Sequence, residues 1–210
     1  MLNHRGEHMS NYWNGFYYNI GEGAYLDNQS EIENNVLSIY RLLRSYGFTK
    51  QAACGVIGNI DRESSFNPGQ KTGDAWGLTQ FYPSSRLTAY CQAHGHPNWW
   101  DGNVQCELIN AEGYFTDTSG PFERQWLNAN PPYNINWDTF KSLTDTEFAA
   151  KDYMWQNERP GSDTSEERAR RAVEWEAFID EHEPDPPVPP TPTPSNPLKL
   201  IFQLMLPDWL

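Results

Sequence analysis

"QAACGVIGNIDRESSFNPGQKTGDAWGLTQF" spans residues 51–81 and decides the fold of this chain. It begins as a helix of small and apolar residues, breaks into Pro and Gly, and ends in a short apolar run that contains a glutamine. The buried face of the helix is predicted from residues at helical spacing: Ala53, Val56, Ile57 and Ile60. One carboxylate, Glu63, stands where the helix stops and the turn-rich stretch begins. It is either a solvated helix-end residue or an acid at the lip of a cleft.

An ideal helical wheel separates Glu63 from the charges beside it. With Ile60 as the reference direction, the apolar residues fall between about −40° and +60°, and Glu63 falls at about −60°. Asp61 and Arg62 fall well outside this face. We therefore expect Glu63 to point towards packed apolar atoms, where desolvation favours the neutral form of a carboxyl. A general acid that works near neutral pH needs that proton-carrying form.

Helical patterns occupy most of the chain between residues 29 and 182. Ser30 with Glu33, and Thr144 with Glu147, form two capping boxes that predict helix starts. Gly47 predicts the end of the first helix. Periodicity predicts further helices at about 85–94, 103–116, 121–128, 145–158 and 165–182, and only the stretch 66–83 favours a small hairpin. The predicted fold is therefore mainly α, with a small β-hairpin or irregular lobe.

Composition divides the chain into four parts. Residues 1–28 are polar and aromatic and are expected to form an arm, and residues 29–182 are expected to form the folded domain. Residues 183–197 are rich in Pro and predict an extended linker in the polyproline II conformation. Residues 198–210 are too apolar to stay solvated and too short to span a bilayer, so we expect them to dock on a partner protein or on a second copy.

The composition of the 210-residue chain excludes several classes of partner. The net charge of −13 argues against nucleic acid and against electrostatic binding to anionic membranes or wall polymers. Aromatic residues make up 14%, with nine Trp and eleven Tyr, which favours an aromatic-lined groove. The N-terminus lacks the apolar region of a secretory signal, and no apolar stretch is long enough to span a membrane.

The three cysteines do not form a disulfide framework. Cys91 and Cys106, with His94 and His96, have a spacing that suits a tetrahedral zinc site poorly, so we predict no metal and no cofactor. Cys91 and Cys106 are expected to be core thiols in the reduced state, with a facultative disulfide as the alternative. Cys54 is expected to be a small buried residue.

The residues around and after Glu63 resemble a known signature. Ser64, Phe66–Pro68 and Gly77–Gln80 are similar to the "ES…GLMQ" pattern of lytic transglycosylases and goose-type lysozymes, in the lysozyme-like superfamily. The nearer resemblance is to the phage tail lysozyme family, whose second helix reads like "AAAGILGNMQAESGFNP" before a Gly-rich turn and "YGLxQW". This chain has "QAACGVIGNIDRESSFNP" and "WGLTQF", and "YMWQNERPG" (153–161) resembles the closing "ERP" element of that family. The resemblance covers about residues 30–182.

The resemblance implies cleavage of peptidoglycan at the β-1,4 bond between N-acetylmuramic acid and N-acetylglucosamine. Glu63 would protonate the leaving glycosidic oxygen. Asp74 is the candidate for a second carboxylate that assists the oxocarbenium-like transition state. Alternatively, Asp74 is a turn residue with an Asx-type hydrogen bond. In that case a lytic transglycosylase is favoured, because the 6-hydroxyl of muramic acid then attacks in place of water.

The same resemblance suggests residues that bind the glycan strand. Gln80 would line the cleft floor and bond sugar hydroxyls or an N-acetyl group, and Ser64 beside Glu63 would also contact substrate. Aromatic side chains pack in cores as well as against ligands. Those predicted to stack on sugar faces are Trp76, Tyr82, Trp99, Trp100 and Tyr153.

Taken together, these expectations describe a virion-associated peptidoglycan hydrolase of a phage tail. Synthesis in the host cytoplasm without a signal peptide fits delivery on a particle, and residues 198–210 would attach the enzyme to tail proteins. A tethered enzyme has a high effective concentration at the wall and needs no favourable charge to reach it. Two alternatives stay open: a lytic transglycosylase of a secretion or conjugation system, and a catalytically inactive structural tail-tip protein.

Overall fold

A computed structural model describes residues 10–127 and 131–183 of the chain. The described residues confirm the mainly α class. The helices are α1 (Gln29–Ser45), α2 (Lys50–Ser64), α3 (Ser85–His94), α4 (Gly102–Glu112), α5 (Trp137–Lys141), α6 (Thr146–Tyr153) and α7 (Ser165–His182), and a π-helix (Met154–Glu158) follows α6 directly. The strands are β1 (Asn11–Trp13), β2 (Phe16–Tyr18), β3 (Gly21–Glu22), β4 (Gln70–Thr72) and β5 (Ala75–Trp76).

The strands form two small sheets. β4 and β5 pair antiparallel within the stretch 66–83, which confirms the hairpin predicted there. β3 pairs in parallel with β4 and completes a three-stranded sheet. β1 and β2 form a second hairpin, so the prediction that 66–83 alone favours a hairpin was wrong. The signal was present: Asn14 and Gly15 have φ values of 51° and 94°, the conformation that an Asn-Gly hairpin turn adopts.

Two of the helix starts differ from the predicted capping boxes. Asn28 caps α1 by accepting from the amide of Ser30 (2.9 Å), and Asp145 caps α6 by accepting from the amide of Phe148 (2.9 Å). In each case a nearby Asn or Asp is the N-cap residue in place of the predicted Ser or Thr. Thr49 caps α2 by accepting from the Ala52 amide (3.1 Å).

The region after α4 is the least regular part of the domain. Residues 121–127 contain no helix, which contradicts the helix predicted at 121–128. α4 ends at Glu112, and the next residue, Gly113, lies directly against the Trp137 ring, where a Cβ would come within 2.1 Å of Cδ2. Trp137 belongs to α5, a five-residue helix that was not predicted. Aromatic packing stabilises this helix, which is too short for a periodic pattern to reveal it.

α2 is largely buried and packs against α6 and α7, which also pack against each other. Two glycines allow this close approach. A Cβ on Gly55 would lie 2.6 Å from Ala149 Cβ, and a Cβ on Gly58 would lie 2.6 Å from the carbonyl oxygen of Arg168 and 2.7 Å from Ala172 Cβ. The packing therefore brings the C-terminal half of α2 against the first turns of α7.

The described part of the predicted arm, residues 10–28, packs on the domain. Asn35 of α1 accepts from the Tyr17 amide (2.8 Å) and donates to the Tyr17 carbonyl (2.7 Å). None of the described helices is long and apolar enough to cross a membrane. The predicted linker beyond residue 183 and the apolar segment 198–210 lie outside the described residues.

Candidate active site

Glu63 lines a cleft of about 510 Å³, named here the main cleft. α2 ends one residue later, and Ser65 turns the chain away in a left-handed conformation (φ 47°). The Glu63 side chain is 22% exposed, so its carboxylate can be reached from the cleft. The cleft is lined by Tyr25, Asp61, Arg62, Glu63, Ser65, Gln70, Thr72, Ala75, Gln80, Glu167 and Arg171.

The Glu63 carboxylate accepts a hydrogen bond from the Arg168 guanidinium. Arg168 is nearly buried, and its other nitrogens donate to Asn59 Oδ1 (3.0 Å) and Thr164 Oγ1 (3.0 Å). The sequence predicted apolar surroundings for Glu63; the structure corrects this, because a buried cation faces it. Periodicity within α2 could not reveal a partner that lies 105 residues further along the chain.

Ser64 connects α2 to the turn that contains Gln80. Its hydroxyl donates to the Leu78 carbonyl (2.8 Å), and the residue is 1% exposed. The structure thus corrects the prediction that Ser64 contacts substrate. Gln105 of α4 holds the same turn: its Oε1 accepts from the Leu78 amide (2.7 Å) and its Nε2 donates to the Pro68 carbonyl (2.8 Å). Gln105 was not predicted, since nothing in its local sequence marks it.

Gln80 lies where the main cleft meets a smaller neighbour. It lines the main cleft and also a cavity of about 120 Å³, named here the polar cavity. Its backbone is left-handed (φ 50°), and its Nε2 donates to the Gly77 carbonyl (2.9 Å). Its Oε1 is buried and has no hydrogen-bond partner among the described residues. An acceptor held in this way suits a donor group on a ligand.

Asp74 lies in the turn between β4 and β5. Its carboxylate accepts from the Ser84 hydroxyl and from the Ser84 amide (3.3 Å), and its backbone carbonyl accepts from the same amide (2.8 Å). Asp74 is not among the residues that line the main cleft. The geometry is that of a turn residue that fixes the start of α3, and a catalytic role for Asp74 stays a prediction.

The β4–β5 hairpin has two different faces. Gln70, Thr72 and Ala75 face the main cleft. Lys71 pairs with Trp76 in the register, and its Nζ lies 3.9 Å from the Trp76 ring centroid. Side chains alternate between the faces of a strand, so Lys71 and Trp76 occupy the face away from the cleft.

The predicted stacking aromatics are divided between several environments. Trp99 packs against Trp76 with ring centroids 4.8 Å apart, on the far face of the hairpin, and Trp100 packs against Tyr18. Tyr153 is 0% exposed and packs against Phe140 in the core, so the prediction that it stacks on a sugar is corrected. Tyr82 is 68% exposed and lines the polar cavity. Of this set, Tyr82 has a ring that is free to meet a ligand beside Gln80.

A second carboxyl group, from Glu158, lines the polar cavity. Glu158 ends the π-helix, in which the Arg159 amide donates to the Met154 carbonyl (2.7 Å), five residues earlier. π-Turns of this kind often occur at functional sites. Its Oε1 is buried without a partner in the part of the chain that the structure describes. Burial, and then the negative charge of Glu63, raise the pKa of the Glu158 carboxyl well above its usual range.

Glu158 and Glu63 therefore form an unequal pair of acids. Glu63 has a buried cation as its partner and opens to the cleft, whereas the environment of Glu158 favours its protonated form. Arg86 and Glu112 form a buried ion pair beside the same cavity. Glu158 is the first residue of the "ERP" element, and the sequence alone predicted no role for it.

Metal ligands are not grouped in the described residues: no three of the His, Cys, Asp and Glu side chains there could hold an ion together. The His94 ring lies 2.9 Å from the Tyr90 carbonyl through Nδ1, and Cys54, Cys91 and Cys106 are free and buried. Burial raises the pKa of the Cys91 thiol to about 11, so this thiol is uncharged at neutral pH.

With this geometry in view, comparison with known proteins identifies the class. The model of the phage tail lysozyme family matches residues 34–179, and the chain belongs to that family. The family indicates an enzyme of glycosidase type, associated with phages. Among curated relatives, "Morphogenesis protein 1" of Bacillus phage B103 is 27% identical over 166 residues. The match covers 73% of this chain and 41% of that protein, so the chain spans about two-fifths of the length of its relative.

Proposed function

We propose that this chain cleaves peptidoglycan at the β-1,4 bond between N-acetylmuramic acid and N-acetylglucosamine, with Glu63 as the catalytic acid. The observation that carries the proposal is the position of Glu63: a carboxylate at the end of α2, held by Arg168, on the wall of an open cleft, in a member of the phage tail lysozyme family. Glu63 gives its proton to the leaving glycosidic oxygen, while the transition state gains oxocarbenium character.

Several groups in the cleft fit a glycan strand. The unpartnered Gln80 Oε1 suits an N-acetyl N–H group, and the exposed Tyr82 ring suits the apolar face of a sugar. Location on a phage tail and attachment to tail proteins through residues 198–210 belong to the same proposal. A tail-bound enzyme would open the wall locally as the phage enters.

The test compares two Glu-to-Gln variants on purified peptidoglycan. Glu63→Gln is expected to fold normally and to lose at least about a hundredfold in the release of glycan ends, the low end of a general acid's contribution. Glu166→Gln makes the same change on the exposed first turn of α7 and is expected to keep wild-type activity. A folded Glu63→Gln variant that clears peptidoglycan at the wild-type rate would show that the catalytic acid lies elsewhere.

A second outcome, lytic transglycosylation, is favoured by the position of Asp74 outside the main cleft. If no second carboxylate positions water, the 6-hydroxyl of muramic acid attacks the anomeric carbon as the glycosidic bond breaks. Glu63 first supplies a proton to the leaving oxygen, and its carboxylate then takes the proton of the 6-hydroxyl as the 1,6-anhydro bond forms. Mass spectrometry of the digest separates the two reactions, because transglycosylation leaves 1,6-anhydro ends and hydrolysis leaves reducing ends.

A further inference from the structure

The segment of residues 10–28 precedes the family match, which begins at residue 34, and yet it builds part of the main cleft. β3 of this segment pairs with β4, whose Gln70 and Thr72 line the cleft. Two further bonds close the junction: the Gly23 amide donates to the Lys71 carbonyl (2.9 Å), and the Gly73 amide donates to Glu22 Oε1 (2.9 Å). The cleft wall is therefore shared between the family domain and a segment outside it.

Asn67 fixes this segment in place. It is fully buried; its Nδ2 donates to the carbonyls of Asn19 (2.9 Å) and Ala24 (2.9 Å), and its Oδ1 accepts from the amides of Asn19 (3.0 Å) and Gly69 (3.0 Å). Asn19 in turn donates from Nδ2 to the Tyr25 carbonyl (2.7 Å). Both ends of the Asn67 amide are used to hold backbone, so the position of Tyr25 is set by a buried anchor.

Tyr25 is 58% exposed, and its side chain extends from this anchored backbone. It lines the main cleft and also an adjoining hollow of about 400 Å³, whose other walls include Asn11, Ile20 and Asp27. Trp76 and Trp99 pack against each other, but Tyr25 has no aromatic partner in residues 10–127 or 131–183. An exposed ring on an anchored backbone, next to amide and carboxylate side chains, has the composition of a sugar site: one flat apolar surface and a few polar groups.

We propose that Tyr25 forms an additional subsite for one sugar ring of the glycan strand, beyond the position of Glu63. The inference rests on the proposed function, because the occupant is the continuation of the strand that Glu63 cleaves. The continuity of the hollow with the main cleft through Tyr25 argues for that occupant. Tyr25 is a binding residue and takes no part in proton transfer, so the subsite acts on affinity for long strands.

The experiment measures cleavage and binding of peptidoglycan strands of graded length by the full chain. Tyr25→Ala is expected to raise KM roughly tenfold on strands that reach the subsite, near the upper end of what one aromatic contact supplies, with kcat little changed. The shortest cleaved oligosaccharides should show no difference. Tyr25→Phe keeps the ring and is expected to restore the wild-type KM. Tyr12→Ala is the matched control, since Tyr12 is 57% exposed in the same segment, is not part of either cleft wall, and packs on Tyr17.

Binding is measured separately, in the Glu63→Gln background, by equilibrium pull-down with insoluble peptidoglycan. Loss of affinity on adding Tyr25→Ala, with retention on adding Tyr12→Ala, supports the subsite even if cleavage is absent. Wild-type KM and affinity for Tyr25→Ala at every strand length would overturn the subsite and leave the proposed function intact. An equal rise in KM at all strand lengths for Tyr25→Ala, without recovery in Tyr25→Phe, would also overturn the subsite. Full activity of Glu63→Gln would instead overturn the proposed function.

Discussion

The end of α2 and the end of the π-helix each deliver a carboxyl group to neighbouring cavities that meet at Gln80, but they do so differently. Glu63 precedes a left-handed Ser65, opens to solvent and is paired with a buried arginine. Glu158 precedes a left-handed Arg159, and its Oε1 is buried and unpartnered among the described residues. The two helix ends thus produce one accessible carboxyl group that is paired with a cation and one enclosed carboxyl group whose surroundings favour its protonated form. The difference shows that burial and partners, rather than helix position alone, assign chemical roles.

The contrast between α2 and the π-helix also explains which side-chain directions the sequence could predict. α2 is a regular helix, so a period of 3.6 residues correctly placed Glu63 at the margin of the buried face. Glu158 is the last residue of a π-helix, where the hydrogen bond spans five residues and a regular wheel gives the wrong direction. Arg168 and Gln105 act over long sequence separations that no local pattern encodes. Helix bounds were predictable where periodicity was strong, as in α3 and α7, and failed where aromatic packing decides, as in α5.

The aromatic predictions failed in part for a simpler reason. A period of two along β4 and β5 places Trp76 with Lys71, on the face opposite Thr72 and Ala75. This alternation is readable in the sequence, whereas an excess of aromatic residues does not distinguish a groove from a packed core. Much of the excess is used in packing: Trp126, Trp137 and Phe140 form one connected cluster in the core.

The largest expected effect comes from removing the cation that distinguishes Glu63 from Glu158. Arg168→Met is expected to lower the free energy of unfolding by about 3–5 kcal/mol at neutral pH, because it leaves a partly buried carboxylate unpaired and removes the donor to Asn59. Urea denaturation measures the change. Arg170→Met removes an exposed ion pair with Glu174 and should cost less than about 0.5 kcal/mol.

A double variant sharpens this result. Adding Glu63→Gln to Arg168→Met removes the uncompensated charge, so part of the lost stability should return. If the double variant is as unstable as the sum of the two single changes, then Arg168 stabilises the domain through packing alone.

An intermediate effect is expected from Glu158→Gln, and it depends on pH. The folded-state pKa of Glu158 is raised above its ordinary value of 4.5, so between the two pKa values the folded chain keeps a proton that the unfolded chain has lost. The free energy of unfolding therefore falls as pH rises, by up to about 1.4 kcal/mol per pH unit for this group. Glu158→Gln should remove that part of the slope and be at least as stable as wild type at neutral pH.

Urea denaturation at several pH values between about 5 and 7 measures this slope, which lies in the window set by the raised pKa. Glu166→Gln, at a carboxylate that is 85% exposed, is the reference variant and should leave the slope unchanged. Identical slopes for the wild type and both variants would show that Glu158 is ionised in the folded protein, and the contrast between the two acids would fail.

The smallest effect is expected from Asp74→Asn. Asn keeps an oxygen that can accept from Ser84, so the turn should survive and peptidoglycan cleavage should change by less than about threefold, far below the hundredfold or more of a catalytic acid or base. The rate on purified peptidoglycan, compared with that of Glu63→Gln, provides the measurement. A loss as large as that of Glu63→Gln would instead establish Asp74 as the second catalytic carboxylate. Asp74, rather than Glu158, would then be the carboxyl group to compare with Glu63.

Gly58 makes the candidate active site depend on the packing contact between α2 and α7, which lies outside the main cleft. A methyl group there would sit 2.6 Å from the Arg168 carbonyl oxygen, so α7 would have to retreat by most of an ångström to restore an ordinary contact. The Arg168 side chain starts from that same backbone, and the retreat would draw its guanidinium away from Glu63. Substitutions confined to the residues that line the main cleft would not alter the α2–α7 contact. Substitutions at that contact would change both the position of Arg168 beside Glu63 and the stability of the domain.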